Sequence, residues 1–126
     1  MIPATALYAG VFGLLSVTLA NAVLFARLRT GKLPGWQPDA VLRVQANFVE
    51  NVPLALVMLL VLELIGTPPS LIHSFGSALL ICRLLHAYGL GTRPGANYPR
   101  LIGAQGTFLV MSAMAVALLF HALDGT

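Results

Sequence analysis

The chain has 126 residues, of which 58% are hydrophobic and only 9% charged, with a formal net charge of +3. A soluble domain needs roughly a quarter of its residues charged to cover its surface, so this composition excludes an ordinary water-soluble fold and makes lipid the solvent for much of the chain. Nucleic-acid binding is excluded as well, because the pI near 9.6 rests on seven Lys and Arg residues scattered between apolar runs, not gathered into a basic stripe.

A bilayer span needs about 20 mostly apolar residues, and four segments qualify. The first runs from about Ala4 to Ala26. Its "LLSVTLANA" ends like a signal-peptide cleavage site, but the cations follow the apolar stretch instead of preceding it, so a retained span is expected. Gly31, Pro34, Gly35 and Pro38 then mark a turn-rich loop. The second span extends from about Ala40 to Ile65, where "GTPP" stops it. The third covers about Leu71 to Leu90, followed by Gly91, Pro94, Gly95 and Pro99, and the fourth about Arg100 to Leu123. The expected architecture is a single domain over residues 1–126, an all-α, antiparallel four-transmembrane-helix bundle.

The cations set an expected orientation. Arg27, Arg29, Lys32 and Arg43 lie in or beside the first loop, and Arg83, Arg93 and Arg100 in or beside the third. Cytoplasmic loops carry the excess of Lys and Arg. Loops one and three are therefore expected in the cytoplasm and both termini outside, with a bacterial inner membrane as the expected location. The single cysteine, Cys82, excludes an internal disulfide and a multi-cysteine metal site, and reads as a small buried hydrophobe. No metal is expected: His86 and Glu50 offer two ligands among arginines.

Helix two opens with "RVQANFVENVP". Arg43, Asn47 and Glu50 are spaced by four and three, so they share a helical face. Arg83 and His86 are one turn apart on helix three, Arg100 opens helix four, and Arg27 closes helix one. Polar groups from all four helices are thus expected at one layer near the loop-one and loop-three end. One reading is an internal network in which Glu50 neutralises Arg43 or Arg83 and Asn47 joins helices. The other is a binding site, because several arginines face one carboxylate and the surplus guanidinium suits an anion. Glu63, near the opposite end, is expected to reach the interface or meet His73. Small residues at Gly10 and Gly13, Gly76, and Gly103 and Gly106 are expected to allow close helix approach.

The Arg-x-x-x-Asn-x-x-Glu pattern of "RVQANFVENVP" resembles the signature of the MAPEG family, the membrane-associated proteins in eicosanoid and glutathione metabolism. "FARLRTGKL" after helix one, "ICRLLHAYG" in helix three and Arg100 agree with it. The likeness covers nearly the whole chain and is nearest to the small bacterial members. It implies a homotrimer of four-helix subunits that holds glutathione between neighbouring subunits. By position, Arg27, Arg43, Asn47, Glu50, Arg83 and His86 match binding residues, with Glu50 on the ligand's ammonium and arginines on its carboxylates. Arg100 matches the arginine assigned to thiol activation, so transferase or peroxidase-like activity on a lipophilic small molecule is implied. The chain carries Ala46 and Leu90 where enzymatic members usually carry an arginine and a tyrosine, and Leu101 where the prostaglandin-forming branch carries a hydroxyl residue. Two other functions remain open: a small four-helix transporter with Glu50 as its coupling carboxylate, and a relative without catalysis whose polar layer is structural.

Overall fold

The computed structural model describes residues 4–28, 38–92 and 98–124. These form four α-helices: α1 (Ala4–Leu28), α2 (Pro38–Leu64), α3 (Pro69–Thr92) and α4 (Tyr98–Asp124). Each contains a stretch long and apolar enough to cross a bilayer, namely Ala4–Phe25, Leu42–Leu64, Pro69–Tyr88 and Leu101–Asp124. The chain is an all-α, four-helix integral membrane protein.

Pairwise contacts show that the helices alternate in direction. The start of α1 meets the end of α2 where Ala4 and Thr5 reach Glu63. Asn47, early in α2, meets Arg83, late in α3, and Arg83 meets Thr107, early in α4. Among the described residues, α2 and α3 each touch the other three helices except that α1 and α4 share no contact. Helices α2 and α3 therefore form the inner pair, flanked by α1 and α4 on opposite sides.

Local chemistry explains the sharp α2–α3 reversal. Gly66 has a φ of 95°, which only glycine adopts without strain. Its N–H donates to the Glu63 carbonyl at 3.2 Å, and Thr67 N–H donates to the Leu62 carbonyl at 3.1 Å. This double closure of the last turn satisfies carbonyls that the helix leaves open. Pro68 and Pro69 follow, and Pro69 suits the first helical position because its missing N–H has no partner there anyway.

At the same end of the bundle, the start of α1 is closed from outside the helix. Its first turn holds no acidic residue. Instead Ala4 N–H donates to Glu63 Oε2 at 2.5 Å and Thr5 N–H to Oε1 at 3.0 Å. A carboxylate from α2 thus serves two amides and the positive end of the α1 dipole. The hydrogen bonds of Glu63 go to these amides. His73 meets Tyr8, whose hydroxyl lies 2.9 Å from Nδ1 and 3.0 Å from the His73 carbonyl oxygen.

The core is built from one layer after another of apolar side chains, with Phe12, Val52, Leu59, Leu62, Ile72, Leu79 and Met114 fully buried. The outward surface is also apolar, for example Leu14, Leu24, Leu109, Val116 and Phe120. A bundle in water would hide these side chains; in lipid they cost nothing. Helix cohesion then depends on close packing and hydrogen bonds. The tightest approach is α3 against α4, where a side chain at Gly103 would run into the backbone of Cys82 and His86, and one at Gly106 into the Cys82 sulfur. At α1 and α3, Gly76 makes room for the Tyr8 ring. Gly10 and Gly13, by contrast, have nothing near them within the chain.

Candidate functional site

Three helices contribute to a hydrogen-bonded polar layer toward the end of the bundle that carries loops one and three. At its centre is Arg83, which is 5% exposed. Its Nε donates to Thr107 Oγ1 at 3.0 Å, and its Nη1 donates to Asn47 Oδ1. Thr107 passes its own hydroxyl hydrogen to the Gly103 carbonyl at 2.7 Å. Asn51 Nδ2 donates to Asn47 at both the backbone oxygen, 2.9 Å away, and Oδ1, 3.3 Å away. The chain of bonds Asn51, Asn47, Arg83, Thr107 ties α2 to α3 and α3 to α4.

Among the described residues, the network gives Arg83 no charged partner. Both of its acceptors are neutral oxygens, and its Nη2 is buried without any hydrogen-bond partner. Removing an ion from water costs several kcal/mol unless it is paired, roughly speaking. Two neutral bonds offset part of that cost and leave the charge itself unanswered.

The other residues of the layer divide by direction. His86 is buried at 5% exposure, one turn beyond Arg83. Asn47 is half-buried, while Arg43 and Glu50 are exposed on the outer face of α2. Arg83 is held by Asn47 and Thr107 and not by Glu50, the first of the two pairings expected for an internal network being Arg43. Helical geometry explains the split. Asn47 sits between the buried Val44 and Phe48 row and the exposed Arg43, Ala46, Val49 and Glu50 row, so it faces inward while its neighbours one turn away face out. Arg27 and Arg100 occupy the last turns of α1 and the first of α4 at this same end, but their side chains lie outside the described residues.

Two members of the network were not singled out by sequence reasoning: Thr107 and Asn51. The signals were present in the spacing. Thr107 lies one turn after Gly103, and Asn51 one turn after Asn47. Pro53 lies within α2, which continues through it. Its missing N–H leaves the Val49 carbonyl without its usual helical donor, beside Glu50.

A cavity of about 80 Å³ adjoins the layer between α1, α2 and α3, with Arg83, His86, Phe48, Leu15 and Leu19 in its wall. Among the described residues no group of three or more His, Cys, Asp or Glu could hold a metal ion.

The model of the MAPEG family matches residues 5–120. The chain belongs to the MAPEG family. It is similar to the inner membrane protein YecN of Escherichia coli K12, at 31% identity over 83 residues, which is 66% of this chain and 62% of that protein. The YecN protein of Escherichia coli O6:H1 matches to the same extent. The alignment thus spans about three fifths of the length of these relatives. No solved structure matches significantly.

Proposed function

We propose that this MAPEG protein binds glutathione at the polar layer, between neighbouring copies of the chain, and uses it in transferase or peroxidase-like chemistry on lipophilic electrophiles. One observation carries the reading. Glu50 lies eight residues inside the Leu42–Leu64 span, about 12 Å deep at 1.5 Å per residue, yet it is exposed on the single chain. A carboxylate facing lipid at that depth costs roughly 2.5 kcal/mol or more. Something polar must cover the α2 face that carries Arg43, Ala46 and Glu50, and a second copy with a charged ligand between the two does so.

The residues suit glutathione, which carries two carboxylates, one ammonium and one thiol. Glu50 can accept from the ammonium, and Arg43 can pair with a carboxylate in two-point fashion. The single-chain cavity is too small to hold it, since ligand pockets are typically a few hundred Å³ or larger against about 80 Å³ here; a site shared between copies in a homotrimer provides the room. Arg83 acts as a positioning residue, because it fixes Asn47 from inside the bundle. When bound, glutathione supplies the thiol that becomes the nucleophile. Arg100, at the start of α4, is the guanidinium that would favour the thiolate. By the distribution of cations, the layer lies on the cytoplasmic side of a bacterial inner membrane, where glutathione is reached from the cytoplasm and the electrophile from the lipid.

The test is a glutathione titration of the purified protein in detergent, followed by calorimetry and by the ultraviolet absorbance of the thiolate. Binding is expected in wild type, weakened at least tenfold in Glu50→Gln. Arg100→Ala is expected to bind glutathione but lose the thiolate signal. No binding at millimolar glutathione would sink the proposal.

A further inference from the structure

We infer that the ammonium of bound glutathione is held on α2 by two acceptors, the Glu50 carboxylate and the Val49 carbonyl oxygen that Pro53 leaves without a helical donor. The inference rests on the glutathione reading above and names the chemistry of one part of its site: a primary ammonium with N–H groups to donate. In an α-helix each carbonyl accepts from the N–H four residues on. Residue 53 is a proline, which has no N–H, and α2 continues through it. The amide side chain close by, Asn51, donates to Asn47 and not to Val49.

Position gives this carbonyl its use. Val49 is 57% exposed, and Glu50 and Pro53 are exposed beside it, so the oxygen opens on the outward face of α2. The proline ring crowds the same carbonyl and tilts it away from the helix axis. Val49 lies seven residues inside the span that begins at Leu42, about 10 Å deep, where lipid offers no donor. Two acceptors on adjacent residues, one of them charged, suit a cation that brings several N–H groups, as a primary ammonium does. A Ca²⁺ or Mg²⁺ ion would want about six oxygens, more than one carboxylate and one carbonyl supply. Arg43 stands two turns earlier, and helical side chains lean toward the helix start, so its guanidinium is directed away from Val49 and left for a carboxylate. Pro53 is thus a positioning residue, acting through the Val49 oxygen.

The experiment titrates the full chain in detergent, by calorimetry, with glutathione and with its N-trimethyl analogue, which keeps the positive charge but has no N–H on that nitrogen. Wild type is expected to prefer glutathione about a hundredfold, roughly tenfold for each charge-assisted hydrogen bond lost. In Pro53→Ala the restored N–H takes the Val49 carbonyl, so the preference should shrink to about tenfold. Alanine also relieves the crowding in the helix. Replacing Pro53 with lactic acid, the α-hydroxy analogue of alanine, separates the two effects: its ester has no N–H, and the wild-type preference should return. A merely structural role for Pro53 would weaken both ligands alike and leave the preference unchanged. That result would overturn the inference, as would a lactic acid variant that behaves like Pro53→Ala, with glutathione binding still in place. Equal binding of the two ligands by wild type would overturn it whatever the variants do. Failure of wild type to bind either ligand would remove the glutathione reading itself and the inference with it.

Discussion

The two glutamates of helix α2 have opposite assignments. Glu50 is exposed on the outer face and Glu63 is half-buried against the start of α1. Replacing Glu50 with Gln should change thermal stability in detergent by no more than about 0.5 kcal/mol, as for surface sites generally, while glutathione affinity falls. Glu63→Gln should do the reverse: a loss of about 1 kcal/mol, the usual worth of an N-terminal helix cap, with binding intact. Finding both effects in one variant would break the division. A third substitution probes the buried network. Asn47→Leu removes the acceptor of Arg83 Nη1 and leaves a second buried N–H group unpaired beside Nη2. The expected cost is about 3 kcal/mol, because a charged donor is stranded, and unfolding followed by circular dichroism would measure it.

The helices themselves are too uniformly apolar for burial in water to hold them together, so contact between α3 and α4 rests on the small residues at their crossing. A side chain at Gly103 would meet backbone atoms of Cys82 and His86, and backbone cannot rotate aside as a side chain can. Gly103→Val should therefore push the helices apart, stretch the Arg83 to Thr107 bond and lower stability by about 2 kcal/mol or more. Gly10→Ala, with open space around it in the chain, should be neutral or gain up to about 1 kcal/mol of helix propensity. A large loss at Gly10 would mean that another copy packs there. Comparing the two variants by thermal unfolding separates contacts made within a chain from contacts made between chains.

For the whole molecule, span number and cation placement give the expected topology. Four spans return the C-terminus to the side where the chain began, and all seven cations lie in or beside the first and third loops. Alkaline phosphatase fused after Thr126 should therefore be active, since it folds only outside the cytoplasm, and the same reporter fused in the first loop should be inactive. The reverse result would place the polar layer on the external side and remove cytoplasmic glutathione as a ligand. Cross-linking in native membranes should give a trimer, because the exposed Arg43 and Glu50 face needs a neighbour; a dimer would leave the proposed site incomplete.

What the sequence by itself determined about this MAPEG protein follows from solvent and length. An apolar chain with four stretches as long as a bilayer is thick has one economical solution, and the spacing of Arg43, Asn47 and Glu50 put them on neighbouring turns of one side of α2. It did not reveal how each helix is rotated about its axis. On helices with little contrast between faces, composition provides no direction to turn, so packing decides. The tertiary structure turned Asn47 and Arg83 toward each other, brought in Thr107 through the close approach at Gly103, sent Glu50 outward, and spent Glu63 on the open amides of α1. Rotation is set by which small residues let two backbones touch, a property of pairs of helices that no single segment displays. The polar layer noticed in "RVQANFVENVP" thus separates into an inward half, Asn47, bonded to Arg83, and an outward half, Arg43 and Glu50, that the chain leaves exposed.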